Sequence, residues 1–172
     1  MIEIPRPQRT SPLVAGLERA QLESWLDFYR ATLITKCAGL TFEQLTLRHV
    51  ATSDLTLLGI LRHMTRVEQY WFEMAFSGHV VIPYYASVDD PDADFHDLAS
   101  ASLDEVVANF QEVCQRSREL ALGHNLRQMT AKPWREGHVN LRWIYIHMIE
   151  EYARHCGHAD LLREMTDGEV DD

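Results

Sequence analysis

Residues 140–164, NLRWIYIHMIEEYARHCGHADLLRE, decide the fold class that this sequence predicts. Apolar residues recur in this stretch with the period of an α-helix, so they form one continuous stripe along the helix. The stripe comprises Ile144, Met148, Tyr152, Ala159 and Leu162. Asn140 is a suitable N-cap, and the helix should run from Leu141 to about Met165, with Gly168 just beyond its end. A helix with such a stripe needs other helices to cover it.

Three other segments have the same helical period. They run from about Leu13 to Lys36, from a cap at Ser53 or Asp54 to about Gly78, and from Ser102 to about Gly123. A short helical turn is predicted at residues 42–45, because Thr41 and Gln44 match a capping box. Four long helices and two long connections predict an all-α four-helix bundle. We expect one domain over residues 1–172, with flexible ends at about 1–10 and 167–172.

The composition argues against several classes of function. Acidic residues outnumber basic ones by 26 to 16, and the net charge of -10 repels the phosphate backbone of nucleic acids. Charged residues interrupt the apolar stretches well short of the roughly 20 residues that a membrane-spanning helix needs. Residues 1–10, MIEIPRPQRT, lack the apolar run of a signal peptide. We therefore expect a soluble cytoplasmic protein that binds neither nucleic acid nor membranes.

The three cysteines, Cys37, Cys114 and Cys156, are widely spaced and form no C-x-x-C pair. Each lies among apolar residues at helical spacing, so we predict that they are reduced and fill the core. None of them is a candidate nucleophile.

The connection between the second and third long helices contains an acidic run over residues 89–97. A connection of more than 20 residues is unusually long, and a functional or lid-like role is one interpretation. Asp90, Asp92 and Asp94 imitate the start of a calcium-binding EF-hand loop. The pattern then fails, because Phe95 stands where that loop needs glycine.

Glu151 and His155 are polar residues that fall inside the apolar stripe of the last helix. A buried, unpaired carboxylate is costly, so Glu151 has to be neutralised, paired or bound to a cation. Side chains four residues apart project from one face of a helix, and both can therefore reach one ion. In the second long helix, His63 lies between Ile60 and Val67 on the inward side. Two histidines and one glutamate from facing helices form the kind of three-ligand set that catalytic zinc uses, with a fourth position for water or substrate.

The residues alone leave other interpretations open. His63 could be a buried histidine with a satisfied hydrogen bond, and Glu151 could pair with His155 or with a neighbouring arginine or tyrosine. His147, one turn before Glu151, and His158, one turn after His155, compete for the role of ligand. We rank these two as pocket residues, because a ligating histidine usually needs a carboxylate or carbonyl partner.

Residues 57–72, LLGILRHMTRVEQYWF, and residues 140–164 resemble the two signature helices of the DinB-like superfamily. Within it, the chain resembles an uncharacterised actinobacterial DinB-type branch, which is similar to mycothiol-dependent maleylpyruvate isomerase and thiol S-transferases. The superfamily binds its metal with one histidine of the second helix and a pair four residues apart in the last. This resemblance implies His63, Glu151 and His155 as the ligands here. Glutamate at the first paired position, where many members have histidine, favours the thiol-transferase side of the superfamily.

The resemblance implies a metal-dependent enzyme that activates a low-molecular-weight thiol. A divalent metal, with Zn²⁺ as the first choice and Ni²⁺, Mn²⁺ or Fe²⁺ as substitutes, would bind mycothiol or bacillithiol as a thiolate. The thiolate would attack a small electrophile, which leads to S-transfer, isomerisation or detoxification. Candidates for lining the substrate pocket are Arg142, Trp143, His147, His158, Tyr84 and Tyr85.

Two other functions are compatible with the same residues. In a metal-dependent hydrolase, bound water would be the nucleophile. A non-catalytic, stress-associated protein would keep the bundle and the metal without a productive pocket. Exposed apolar surface on the bundle could also support a homodimer.

Overall fold

Four long helices run side by side in the computed structural model, which describes residues 4–170. In chain order the helices are α1 (Glu18–Cys37), the short α2 (Phe42–Leu45), α3 (Leu57–Glu68) with a π-helical continuation (Gln69–Phe76), α4 (Leu103–Ala121) and α5 (Leu141–Asp167). A 3₁₀ turn (Leu98–Ser100) precedes α4, and the described residues form isolated bridges but no strand. The predicted all-α bundle is confirmed. The single-domain boundary stays a prediction, and residues 1–3 and 171–172 of the predicted flexible ends lie outside the described range.

The apolar core lies between α1, which packs along α5, and α3, which packs along α4. All five predicted stripe residues of α5 are at most 4% exposed, which confirms the stripe. The three cysteines of the described residues are also buried and free of disulfides. Burial raises the pKa of each thiol to about 12, so they are protonated core residues, as predicted.

The periodicity predicts that the first helix begins at about Leu13. In the structure, α1 begins five residues later, at Glu18. The residues before it form an irregular segment that bends at residues 14–16 and packs against the helix. The backbone N–H of Leu13 donates to Ser24 Oγ of α1 at 3.0 Å, which holds the segment against the first turns. Val14 is 98% exposed and Leu17 is 81% exposed, so the apolar residues just before Glu18 do not extend the buried stripe of the helix.

The N-cap of α3 is Thr56 rather than the predicted Ser53 or Asp54. The Thr56 hydroxyl accepts a hydrogen bond from the backbone N–H of Gly59 at 2.9 Å. Ser53 instead accepts from the N–H of Leu55 at 3.2 Å, in the turn that precedes the helix. All three residue types are good caps, so only the path of the turn decides between them.

The other predicted helix ends are confirmed. Thr41 and Gln44 form both hydrogen bonds of the capping box on α2. Asn140 caps α5 by accepting from a backbone N–H one turn ahead at 2.9 Å. The helix continues to Asp167, slightly past the predicted end, and Gly168 ends it with a φ of 79°, which favours glycine.

A buried ion pair joins three of the long helices. Arg30 of α1 donates to both carboxylate oxygens of Glu68 at the end of α3, at 2.7 and 2.8 Å. Tyr152 of α5 donates to the same carboxylate at 2.9 Å, and Glu68 is fully buried. Because buried charges need such partners, the network holds α1, α3 and α5 in one relative position.

The connection between α3 and α4 folds back onto α3. Arg62 donates to the carbonyl oxygens of His96 and Ala93 at 3.1 and 2.8 Å. Phe95, between these two residues, stacks on the ring of His63 with 5.5 Å between the ring centroids. Residues 93–96 therefore lie beside the inward-facing histidine of α3.

Candidate metal centre

His63 of α3 and the pair Glu151 and His155 of α5 come together where the two helices face each other. One donor atom from each of the three side chains lies within 4.8 Å of the other two. The rings of His63 and His155 are 4.8 Å apart between centroids, and Glu151 Oε2 lies 3.6 Å from His155 Nε2. We call these three residues the triad. Their role as metal ligands stays a proposal.

The carboxylate of Glu151 has imidazole and guanidinium neighbours but no close hydrogen bond among the described residues. His147 Nε2, Arg154 Nη1 and His155 Nε2 lie 3.7, 3.5 and 3.6 Å from its oxygens. Each of these distances exceeds that of an ordinary N–H···O hydrogen bond, roughly 2.7–3.2 Å. Arg154 is therefore near Glu151, as expected if the glutamate pairs with a neighbouring arginine, but it does not form a close hydrogen bond with the carboxylate.

His155 is in the protonation state that metals bind. Burial, with the nearby charges of His63, His158 and Arg154, lowers the pKa of His155 to about 3, so its imidazole is neutral near pH 7. Its buried Nδ1 has no hydrogen-bond partner among the described residues. An unpartnered buried ring nitrogen is uncommon in proteins and calls for an explanation such as an ion or a water molecule.

His63 has a carboxylate partner, Asp94, which the sequence marked only as part of an incomplete EF-hand pattern. Its Nδ1 lies 2.9 Å from Asp94 Oδ2, and Asp94 is fully buried. Arg66, one turn after His63, donates from Nε to both carboxylate oxygens of Asp94 at 2.8 and 2.9 Å. Asp94 lies in an irregular connection, so no periodic signal distinguishes it from the other aspartates of the acidic run. The only indication in the sequence is Arg66, three residues after His63, which could attract a carboxylate to the same face of the helix.

The donor set of the triad fits a divalent metal. Two imidazoles and one carboxylate are ordinary zinc ligands, and tetrahedral ligands at about 2.0–2.1 Å from zinc lie roughly 3.3–3.4 Å from one another. The separation of 3.6 Å between Glu151 and His155 is close to that value. The side chains of His63, Glu151 and His155 keep 18, 16 and 11% exposure, so solvent and small molecules can reach them.

A second group of side chains also brings one donor atom from each member within 4.8 Å of the others. It comprises His147, Glu150 and Glu151. It shares Glu151 with the triad. Glu150 is exposed and already pairs with Arg154, so its charge is satisfied on the surface. A surface carboxylate of this kind needs no cation, and the triad is therefore the better-supported metal site.

Three tryptophans and a histidine form what we call the aromatic wall: Trp71, Trp134, Trp143 and His147. Trp143 stacks on His147 with 4.8 Å between centroids, and Trp71 lies 5.1 Å from Trp143. Trp134 comes from the connection before α5 and lies 5.1 Å from Trp143. His147 brings the wall next to the triad, because its Nε2 is 3.7 Å from Glu151 Oε1.

The remaining histidine and arginine candidates for the pocket differ in position. His158 contacts the triad directly, since its ring centroid lies 5.3 Å from that of His155 in an edge-to-face arrangement. Arg142 is directed to α1, where its Nη2 donates to Glu18 Oε2 at 2.9 Å. A substrate would have to compete with this ion pair for the guanidinium.

The two tyrosine candidates lie in the connection after α3. Tyr85 accepts a hydrogen bond from Asn109 at 3.0 Å, and the guanidinium of Arg62 lies 4.5 Å from its ring centroid. The backbone N–H of Tyr84 donates to Gln69 at 3.0 Å. These contacts hold the connection against α3 and α4, and a pocket role for either tyrosine stays a prediction.

The helical bundle and the convergence of two histidines and one glutamate on its facing helices are features of the DinB-like class of proteins. Within that class, the chain belongs to the mycothiol S-transferase family, whose model, described as Mycothiol-S-transferase, matches residues 21–168. The resemblance stated from the two signature helices is thereby confirmed. No curated protein sequence matches the chain. Among residues 4–170, no helix combines the length and the apolar character that crossing a membrane requires.

Proposed function

We propose that the chain holds one divalent metal ion through His63, Glu151 and His155 and catalyses the transfer of a low-molecular-weight thiol to a small electrophile. Membership of the mycothiol S-transferase family supports the reaction class and mycothiol as the thiol. The convergence of the triad within 4.8 Å supports the metal, and it is the observation that carries the proposal.

Zinc is the first choice for two histidines and one carboxylate, and Ni²⁺, Mn²⁺ or Fe²⁺ can use the same ligands. A divalent metal at this position would supply a thiolate near neutral pH, because it lowers the pKa of a thiol that binds to it. Three protein ligands leave a coordination position for such a thiol. No protein cysteine is suited to the role, since burial keeps all three protonated.

The residues around the triad admit, orient and shield the reactants. The partial exposure of the triad gives a small thiol access from solvent. Phe95 covers the ring of His63, and the aromatic wall borders Glu151. Apolar and aromatic groups on both sides exclude water and strengthen the electrostatic interaction with a bound thiolate. His158, against His155, lies where it can contact a bound reactant.

The electrophile is a small molecule, and the products are a thioether conjugate with the released leaving group or, for an isomerisable substrate, the rearranged substrate and the free thiol. We place the reaction in the cytoplasm, where thiols are kept reduced. Bacillithiol is the alternative thiol. The choice between the two depends on groups remote from sulfur, which the triad itself does not contact.

Steady-state assays on zinc-loaded protein test the proposal. We expect an activated aryl halide to be converted only in the presence of mycothiol, at a rate that saturates with the mycothiol concentration. Bacillithiol in a parallel assay tests the identity of the thiol. Hydrolysis of an activated ester without any thiol would overturn the proposal in favour of a hydrolase, for which the same three ligands could hold water. Zinc binding with neither reaction would indicate a non-catalytic metal-binding protein.

A further inference from the structure

We infer that Asp94 is a positioning residue for the metal site: it holds the hydrogen of His63 on Nδ1 and so leaves Nε2 as the ligating nitrogen. This inference rests on the proposed metal site. It goes beyond the three ligands, because it assigns a role to a connection that contributes no ligand.

The first step is the hydrogen bond itself. Asp94 Oδ2 lies 2.9 Å from His63 Nδ1, and the Asp94 side chain is completely buried. Arg66 donates to both oxygens of Asp94, so both of these oxygens act as hydrogen-bond acceptors. Two acceptor atoms at 2.9 Å would repel each other, so the hydrogen between Asp94 and His63 has to be on His63 Nδ1.

The opposite assignment is less favourable. Arg66 Nη2 lies 3.3 Å from His63 Nδ1, so the guanidinium could donate to this nitrogen if the hydrogen were on Nε2. That contact is longer than the contact of 2.9 Å to Asp94, and the guanidinium already binds the carboxylate. The arginine therefore serves to hold Asp94, and the aspartate serves to hold the histidine.

Asp94 is kept in place by the contacts of its neighbours in the chain. Residues 93–96 form what we call the clamp. Arg62 binds the backbone carbonyls at both ends of the clamp, at 2.8 and 3.1 Å. Between them, Asp94 bonds the edge of the His63 ring and Phe95 stacks on its face, with an angle of 28° between the ring planes. The imidazole is thus fixed both in orientation and in tautomer.

The tautomer of His63 determines which of its nitrogens is available to a metal. A hydrogen on Nδ1 blocks that nitrogen and leaves the lone pair of Nε2 available, and a carboxylate partner makes the ligating nitrogen more basic. Mutation of such partners typically weakens metal binding by about 10–100-fold. The clamp therefore links the fold of an acidic connection to the affinity of the bundle for its metal.

The tautomer can be measured without any metal. Long-range ¹H–¹⁵N correlation spectra of the metal-free protein should show His63 with Nδ1 protonated and Nε2 unprotonated. In Asp94→Ala we expect the hydrogen to move to Nε2, because Arg66 then becomes the nearest partner of Nδ1. A wild-type His63 with its hydrogen on Nε2 would overturn the inference, whatever the protein does with zinc.

Zinc affinity provides the second measurement, by competition with a chromophoric chelator. Asp94→Ala should raise the Kd about 10–100-fold. Asp94→Asn retains an acceptor oxygen and should give a smaller increase. The control, Asp92→Asn, removes an exposed carboxylate of the same connection and should leave the Kd unchanged.

The outcomes separate this inference from the proposed function. Unchanged zinc affinity in Asp94→Ala, with tight binding by the wild type, would overturn the role of Asp94 and leave the metal site intact. A wild type that binds no zinc would refute the proposed function, and the tautomer would still decide the inference about Asp94. Circular dichroism and cooperative unfolding monitor folding. If Asp94→Ala does not fold, the Kd of Asp94→Asn and the wild-type tautomer decide.

Discussion

Phe95 occupies the space that a side chain on Gly59 would need. An ideal Cβ at Gly59 would lie 2.6 Å from Cδ1 of Phe95 and 2.9 Å from Oγ1 of the capping Thr56. Helix α3 carries glycine here although glycine is a poor helix former. The close approach allows Phe95 to reach the ring of His63, one turn further along the helix. A glycine outside the triad is therefore part of the support for its histidine.

Gly59→Ala should push Phe95 away from α3 and loosen its contact with His63. Overpacking costs about 1–3 kcal/mol and the helix gains about 1 kcal/mol in propensity, so the free energy of unfolding should fall by up to about 2 kcal/mol. Zinc affinity should fall as well. Urea denaturation and zinc competition measure the two effects. The control is Gly157→Ala in α5, where an added Cβ meets no other group of the described residues within 4 Å. It should stabilise the protein, and equal effects of the two changes would contradict the prediction.

Glu151→Ala should abolish stoichiometric zinc binding, because it removes the only carboxylate of the triad. Elemental analysis of protein purified without a histidine tag measures the metal content. Glu150→Ala is the matched control, since it removes the adjacent, exposed carboxylate and should retain zinc. Full occupancy in Glu151→Ala would contradict the triad, and loss of zinc only in Glu150→Ala would point to the second group of side chains.

Glu68→Ala should destabilise the bundle strongly, because it leaves the buried guanidinium of Arg30 without its main partner. Removing one member of a buried ion pair costs about 3–5 kcal/mol. Tyr152→Phe removes only one hydrogen bond to the same carboxylate and should cost less, roughly 1.5–3 kcal/mol. Urea denaturation at neutral pH gives both values. The expected order would be refuted if the phenylalanine variant were the less stable of the two.

The ion pair of His96 and Asp90 in the connection after α3 should respond to pH. A hydrogen bond from His96 to Asp90 raises the pKa of the histidine above 6.5 and lowers that of the aspartate below 3.8. The histidine therefore contributes stability that is fully present below pH 6.5 and is lost as the pH rises through its folded pKa. The aspartate contributes stability that is present above pH 3.8 and is lost as the pH falls through its own folded pKa.

An NMR titration measures this pair directly. In Asp90→Asn, the pKa of His96 should fall toward 6.5, because its carboxylate partner is gone. Exposed His79, elsewhere in the same connection, provides the control, and its resonances should be the same in both proteins. Identical His96 titrations in the wild type and in Asp90→Asn would show that the pair does not form in solution.

The three cysteines should be unreactive in the folded protein. Burial raises their pKa values to about 12, so almost no thiolate exists near neutral pH. A chromogenic disulfide reagent at pH 8 should titrate no thiol in the native state and all three after denaturation in guanidinium. Prior treatment of the native protein with iodoacetamide should leave S-transfer activity intact. Inactivation by stoichiometric alkylation would instead implicate a protein cysteine in the reaction.

Much of the bundle is predictable because helix formation is local. The period of apolar residues places Ile144, Met148 and Tyr152 in the core of α5, and burial of all three follows. The N-cap of a helix is harder to predict, because several residues near the start of one helix can act as the cap. The turn before α3 selects Thr56 over Ser53, and this choice depends on the path of the chain rather than on residue type.

The sequence by itself determined the class of fold and the pairing of Glu151 with His155 on one face of α5, because both depend only on helical periodicity. The addition of His63 to that pair depends on how α3 meets α5. That meeting is decided by packing and by the buried contacts among helices that are distant in sequence. The selection of Asp94 from an acidic run is decided by Arg62 and Arg66, which hold the irregular clamp against α3. An irregular segment has no periodic pattern of apolar residues from which contacts can be predicted. Only the tertiary structure could therefore identify Asp94 as the carboxylate that orients His63.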